Sequence, residues 1–165
     1  MTSSRLEEAW RSERPSLIRA IYLTCGDLDL AAEVVDQAFL SVFARLRSAP
    51  VEDVRAYLWR TAFNQSRRSR AAQRRMEAAV DLASRSTRNT IGGLDEHDPH
   101  EEVLLSLARL SPQTRVVLVL RYYGDFTNAQ IANHQSIPVG TVKSLIHRGL
   151  ASMRGDLLAP KGCGP

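Results

Sequence analysis

In "AAEVVDQAFLSVFARL", residues 31–46, the apolar residues Val35, Ala38, Phe39, Val42, Phe43 and Leu46 recur at intervals of three and four. That spacing gathers them on one face of a helix, whereas a strand would scatter them over both of its faces. Helical periodicity recurs along the chain and no segment alternates convincingly, so the expected fold class is all-α. A chain of 165 residues with 44% hydrophobic content holds one ordinary domain or two very small ones, each with a packed core.

Composition shifts mark where the helices divide. Pro50 disfavours helix at the residue before it, and a second helix can open near residues 51–53, where Glu52 and Asp53 suit a first turn. From about Leu82 to His100 the sequence "LASRSTRNTIGGLDEHDPH" loses periodicity and collects Ser, Thr, Asn, Gly, Pro and acids, the composition of a linker. Two small helical domains are therefore expected, over 1–81 and 101–158, with a linker at 82–100 and a tail at 159–165.

The second half carries clear helix punctuation. Ser111 can cap a helix whose first position is Pro112, and Gly124 suits its stop. "TNAQ" at 127–130 has the Thr and Gln spacing of a capping box and opens a helix through about Gln135. After a break at Ser136 and Ile137 comes "SIPVGTVKSLIHRGL", with a helix start near Pro138 and Gly140. Its apolar stripe runs through Val139, Val142, Ile146 and Leu150, and the donors Thr141, Lys143, Ser144, His147 and Arg148 lie between. Two short helices with a few residues between them, the second donor-rich, make a helix-turn-helix able to enter a major groove. Lys143 and Arg148 can reach phosphates or guanine edges, Thr141 and Ser144 can bond phosphate or base, and His147 can contact a base or sugar.

Charge is unevenly spread. The formal net charge is +4, yet residues 54–76 hold seven Arg and no acid, while residues 1–53 hold six Arg against nine acids. So dense a basic block points to a polyanion, and nucleic acid fits it better than a membrane. Arg55, Arg60, Arg67, Arg68, Arg70, Arg74 and Arg75 can neutralise phosphates, and Tyr57, Trp59 and Phe63 offer rings for unpaired bases or for the core. The inner stripe of this helix is expected at Val54, Leu58, Thr61, Ala62 and Gln65.

Other function classes find little support. "VVLVL" at 116–120 is the longest apolar run and falls far short of the roughly 20 residues that cross a bilayer. "MTSSRLEEAW" lacks a signal peptide's apolar stretch, so no membrane insertion and a cytoplasmic location are expected. Cys25, in "IYLTC", reads as a buried structural thiol, and Cys163 lies in the tail, so neither suggests a disulfide or a metal clip. "DEHDPHEE" reads as solvated charge. No nucleophile elbow, phosphate loop or metalloprotease helix is present, so no catalytic residue, metal site or cofactor is expected.

"LSPQTRVVLVLRYYGDFTNAQIANHQSIPVGTVKSLIHRGLASMR", residues 110–154, resembles region 4 of an extracytoplasmic-function (ECF) sigma factor of the sigma-70 family. "DLDLAAEVVDQAFLSVFARL" and "VRAYLWRTAFNQSRRSR" resemble region 2 of that family, so the likeness runs over about residues 10–154. It implies that the chain binds core RNA polymerase, through its beta and beta-prime subunits, and directs it to promoter DNA. Residues 1–81 would engage and melt the minus-10 element, and the helix-turn-helix would read the minus-35 element. The resemblance makes Asp36 and Gln37 contacts to the clamp helices of the largest polymerase subunit. It makes Asn64, beside Tyr57 and the arginines, a DNA contact, and an anti-sigma factor a further candidate partner. The acidic linker would follow the RNA exit path, although a solvated tether explains its composition equally well.

The sequence departs from the family pattern in four places. Gln precedes the acid in the family where Asp36 and Gln37 stand, an acid stands in place of Arg68, an Arg in place of Leu145, and a Leu-Gly pair in place of Gln135 and Ser136. Gln135, four residues after Ile131, is expected on the side where the two helices meet. A helix-turn-helix regulator whose N-terminal half is a sensor is the rival reading, but a sensor has no need of an Arg-dense helix carrying rings. A purely helical adaptor would leave both basic faces unexplained.

Overall fold

The structure, a computed structural model, describes residues 2–81 and 99–158, without the side chains of 2, 3, 5, 72, 73, 75–81 and 99–101. Most of the expected linker with His97, the tail with Cys163, and the side chains of Arg75 and His100 lie outside the described residues. Seven helices and no strands make up the rest, which divide into two compact units. No helix among the described residues is long and apolar enough to cross a membrane.

The first unit is a three-helix bundle of α1 (Thr2–Cys25), α2 (Leu28–Ser48) and α3 (Val54–Asp81), each packed on the other two. Helix α1 includes a proline, Pro15, midway along its length. It lies on the exposed side of the helix. The carbonyl that loses its bonding partner to a proline there can turn to water. Inward, Leu6, Leu17, Ala20, Ile21 and Thr24 keep the three- and four-residue spacing and are buried.

The turn from α1 to α2 is set by two residues. Gly26 takes φ +76, which costs a glycine little, and its N–H bonds Tyr22 O at 2.7 Å. Asp27 then caps α2, its side chain accepting from Leu30 N at 3.0 Å. Asp53 caps α3 in the same way, accepting from Ala56 N at 2.9 Å. Beside the first turn Cys25 is part-buried, and burial pushes its thiol up, against the lowering effect of the Asp27 backbone and of Arg70.

In α2 the centre of the buried face is Ala31, Val34, Val35, Ala38 and Val42. Phe43, expected on that face, is 39% exposed, and Phe39 is half-buried against the ring of Trp10, with 4.4 Å between centroids. Residues spaced by three or four drift around a helix, and Phe43 lies one step too far around to reach the core.

The second unit comprises α4 (Pro99–Arg109), α5 (Pro112–Tyr122), α6 (Asn128–Gln135) and α7 (Val139–Leu158). α4 begins at Pro99, two residues inside the expected linker. Its last carbonyls are closed by Arg115, whose guanidinium bonds Leu107 O, Ala108 O and Leu110 O at 2.8 to 3.1 Å. Ser111 caps α5 with Pro112 in its first turn, and Thr127 and Gln130 form the full capping box of α6, all as the sequence indicates. Gly124 is not the left-handed residue after α5. That conformation falls to Asp125, at φ 55.

α7 packs on α4, α5 and α6. Its core positions are Val142, Leu145 and Gly149, with Ile146 and Leu150 half-buried, whereas Val139, expected in the stripe, is 40% exposed. Gly149 permits the closest approach. A Cβ there would meet Thr114 Cγ2 at 2.7 Å and Leu118 Cδ1 at 2.8 Å, so α5 and α7 touch through its missing side chain. Leu145 is buried as well, so the residue that stands in place of the family's arginine packs the core.

Candidate nucleic-acid and partner interfaces

The turn between α6 and α7 decides which side of α7 faces outward. α6 ends at Ser136 with φ 55 and ψ 46, and the N–H of Ile137 returns to Ala132 O at 3.0 Å. Pro138 then leads into α7, whose next turn starts with Val142 N bonding Pro138 O at 3.1 Å. The helices are thus held at a sharp corner by a left-handed serine. The buried polar residue next to that corner is His134, edge-on to the Phe126 ring. Gln135 was expected to occupy the inner side but is only half-buried, and its amide bonds His134 Nδ1 at 2.9 Å.

With Val142, Leu145 and Gly149 inside, Thr141, Lys143, Ser144, His147 and Arg148 are all exposed on α7. Lys143, Ser144, His147 and Arg148 line one open surface depression. The Ser144 hydroxyl donates to Gly140 O at 3.0 Å, and Arg148 Nε bonds Ser144 O weakly at 3.4 Å. The arrangement can present cations and small donors to an anionic groove.

In the first unit the arginines of α3 separate into two groups. Arg60, Arg67, Arg68 and Arg74 are exposed, and 60, 67 and 74 fall two turns apart along one face. Asn64 and Tyr57 are half-buried on the same helix. Arg70, expected to neutralise a phosphate, points inward and gives Nη1 to Thr24 O at 2.9 Å, closing the end of α1. Arg55 is also engaged, though its side chain stays 39% exposed: its Nε lies 3.0 Å from Glu13 Oε2 and its guanidinium 5.2 Å from the Trp59 ring centroid.

The three rings of α3, open in the sequence to either unpaired bases or the core, divide between the two. Trp59 is wholly buried and Phe63 nearly so, with 6.1 Å between their ring centroids, so neither is available to an unpaired base. Tyr57 alone of the three keeps access to solvent.

The outer face of α2 carries Asp36 and Gln37, both exposed and both engaged. Arg14 of α1 holds Asp36, and Gln37 Nε2 donates to Glu33 Oε1 at 2.9 Å. Leu40 and Phe43, 64% and 39% exposed, follow Asp36 at the i+4 and i+7 positions on the same face. Leu40 is not in the apolar stripe of the sequence at 35–46, whereas Phe43 is, on the face expected to be buried. The 36, 40, 43 spacing was the signal that would have found this stripe.

The family model described as "Sigma-70, region 4" matches residues 100–153, from α4 through most of α7. The RNA polymerase sigma-E factor of Streptomyces coelicolor is 27% identical over 156 residues, covering 93% of this chain and 86% of that one. The probable ECF RNA polymerase sigma factor SigI of Mycobacterium tuberculosis is 29% identical over 167 residues, covering 92% of this chain and 55% of that one. Among solved structures, the sigma factor RpoE from Bartonella quintana, crystallised with the anti-sigma factor NepR, shares the fold with a TM-score of 0.76. It is 17% identical to this chain, and the likeness covers 94% of this chain and 98% of that one.

Proposed function

We infer that this chain is an ECF sigma factor of the sigma-70 family: it binds core RNA polymerase and directs it to start transcription at specific promoters. The observation that carries this reading is the exposed donor face of α7 in a helix-turn-helix matched to region 4 along nearly its whole length. The second unit reads the minus-35 element through Thr141, Lys143, Ser144, His147 and Arg148.

In the first unit, Arg60, Arg67, Arg68 and Arg74 track the phosphates of the minus-10 element, with Tyr57 and Asn64 as the groups nearest the bases. Arg75 belongs to the same basic run. Asp36 and Gln37, with Leu40 and Phe43 as apolar anchors, dock on the clamp of the largest polymerase subunit. An apolar centre flanked by polar groups is the anatomy of a specific interface. Docking on polymerase places the chain in the cytoplasm, and the chemistry of transcription belongs to the polymerase. An anti-sigma factor is the fitting regulatory partner, by likeness to the RpoE and NepR complex.

Each DNA-facing unit is small, so neither binds tightly alone. Tethering them on one polymerase scaffold turns the second contact into an intramolecular event. The test is reconstituted transcription with bacterial core polymerase on a promoter library. Defined start sites that depend on added chain are expected, with weak binding to duplex DNA by the chain alone. A self-sufficient operator-binding dimer without affinity for core enzyme would instead establish a regulator with an N-terminal sensor.

A further inference from the structure

The outer face of α2 carries its docking carboxylate in an occupied state. Arg14 gives Nε to Asp36 Oδ1 at 3.1 Å, and its Nη2 lies 3.1 Å from Oδ1 and 3.3 Å from Oδ2. The same guanidinium stands 5.4 Å from the ring centroid of Trp10, one turn earlier on α1, and that ring packs on Phe39 of α2. Arg14 is therefore held by two neighbours, and its charge is placed against the one carboxylate of α2 that adjoins Leu40 and Phe43.

We propose that Arg14 sets the strength of polymerase docking by competing with the polymerase for Asp36, an inference that rests on the docking role given to Asp36 above. A basic group on the partner meets a neutral pair where it would otherwise meet an anion, so long-range attraction to this face is weakened. To bond the carboxylate fully, that group displaces Arg14 or shares it. The exchange is possible because the pair is 41% and 51% exposed, and exposed pairs change an equilibrium constant by no more than about fivefold. A displaced Arg14 still lies beside the Trp10 ring, so its release leaves no buried charge behind. Arg14 thus acts as an exchangeable latch over the docking carboxylate.

The experiment measures binding of the full chain to bacterial core polymerase over a series of salt concentrations. Arg14→Gln removes the charge and keeps most of the side-chain length, Arg14→Lys keeps the charge without the fork, and Asp36→Asn removes the carboxylate. Arg14→Gln is expected to bind core about two- to fivefold more tightly at low salt, with a steeper salt dependence that erases the advantage as salt rises. Arg14→Lys should fall between it and the parent chain, and the double variant should match Asp36→Asn. Loss of helix packing alone would not steepen the salt dependence.

If Asp36→Asn weakens binding while Arg14→Gln binds no more tightly than the parent, the latch is overturned and the docking role of Asp36 stands. If Asp36→Asn binds as well as the parent, the docking role falls and the latch falls with it. Should Arg14→Gln lower the thermal midpoint, Arg14→Lys carries the same comparison in a chain that retains the ion pair.

Discussion

The indole nitrogen of Trp59 donates to Glu13 Oε2 at 2.8 Å, joining α3 to α1 across forty-six residues of sequence. Trp59 is wholly buried, and the Glu13 side chain is only 18% exposed. The same oxygen takes Arg55 Nε, so one carboxylate satisfies a buried donor and an arginine that covers the ring.

Glu13→Ala leaves the Trp59 N–H without that acceptor and Arg55 without its counter-ion. It should cost the first unit about 1 to 3 kcal/mol. Glu13→Gln, which keeps an acceptor for the indole, should cost less. Both tryptophans, Trp10 and Trp59, lie in the first unit, so fluorescence-detected unfolding isolates its transition. Equal losses in the two variants would show that the ion pair, and not the indole bond, matters.

Gly149→Ala places a methyl group 2.7 Å from Thr114 Cγ2 and 2.8 Å from Leu118 Cδ1. Overpacking of this kind costs about 1 to 3 kcal/mol, set against a gain of roughly 1 kcal/mol in helix propensity. A lowered midpoint of the second unit is expected. Gly140→Ala and Gly155→Ala meet nothing within 4 Å and should leave the midpoint unchanged or raise it. Calorimetry on the three variants would show the same shift in all if α5 and α7 could move apart without cost.

Ser136 holds φ 55 and ψ 46, a conformation that costs a non-glycine residue about 1 kcal/mol. Ser136→Gly should therefore raise the unfolding midpoint of the second unit by roughly 4 to 8 °C. Gln135→Leu should add little, because the site is half-open and the amide it removes bonds His134. A large gain from Gln135→Leu would mean that the corner between α6 and α7 closes over this position.

Arg67→Ala and Arg74→Ala should each lower the salt slope of promoter binding by about one, with the midpoint of the first unit unchanged. Arg70→Ala should do the reverse. It removes a charged donor from Thr24 O, costing about 1 to 2 kcal/mol of stability, with no loss of salt slope in the folded protein. Three variants with identical salt slopes would overturn the separation of Arg70 from Arg67 and Arg74.

The sequence alone determined the helical fold class, the two units and nearly every helix end in the second one. Ser111, Thr127 and Gln130 act on backbone groups three residues away, so their effect is complete within a few neighbouring residues. The exposed face of α7 was legible for the same reason, since five small or charged residues interrupt an apolar stripe at helical spacing. Tertiary structure decided which arginines of α3 are engaged within the bundle and which stay free on its surface. Arg55 and Arg70 belong to the same acid-free block as Arg60 and Arg67, and they are engaged because Glu13 and the end of α1 lie beside them in space. The burial of Trp59, Phe63 and Leu145 and the exposure of Phe43 were decided in the same way. Periodicity groups residues into faces of a helix, but the positions of neighbouring helices determine where each face is covered and where it stays open.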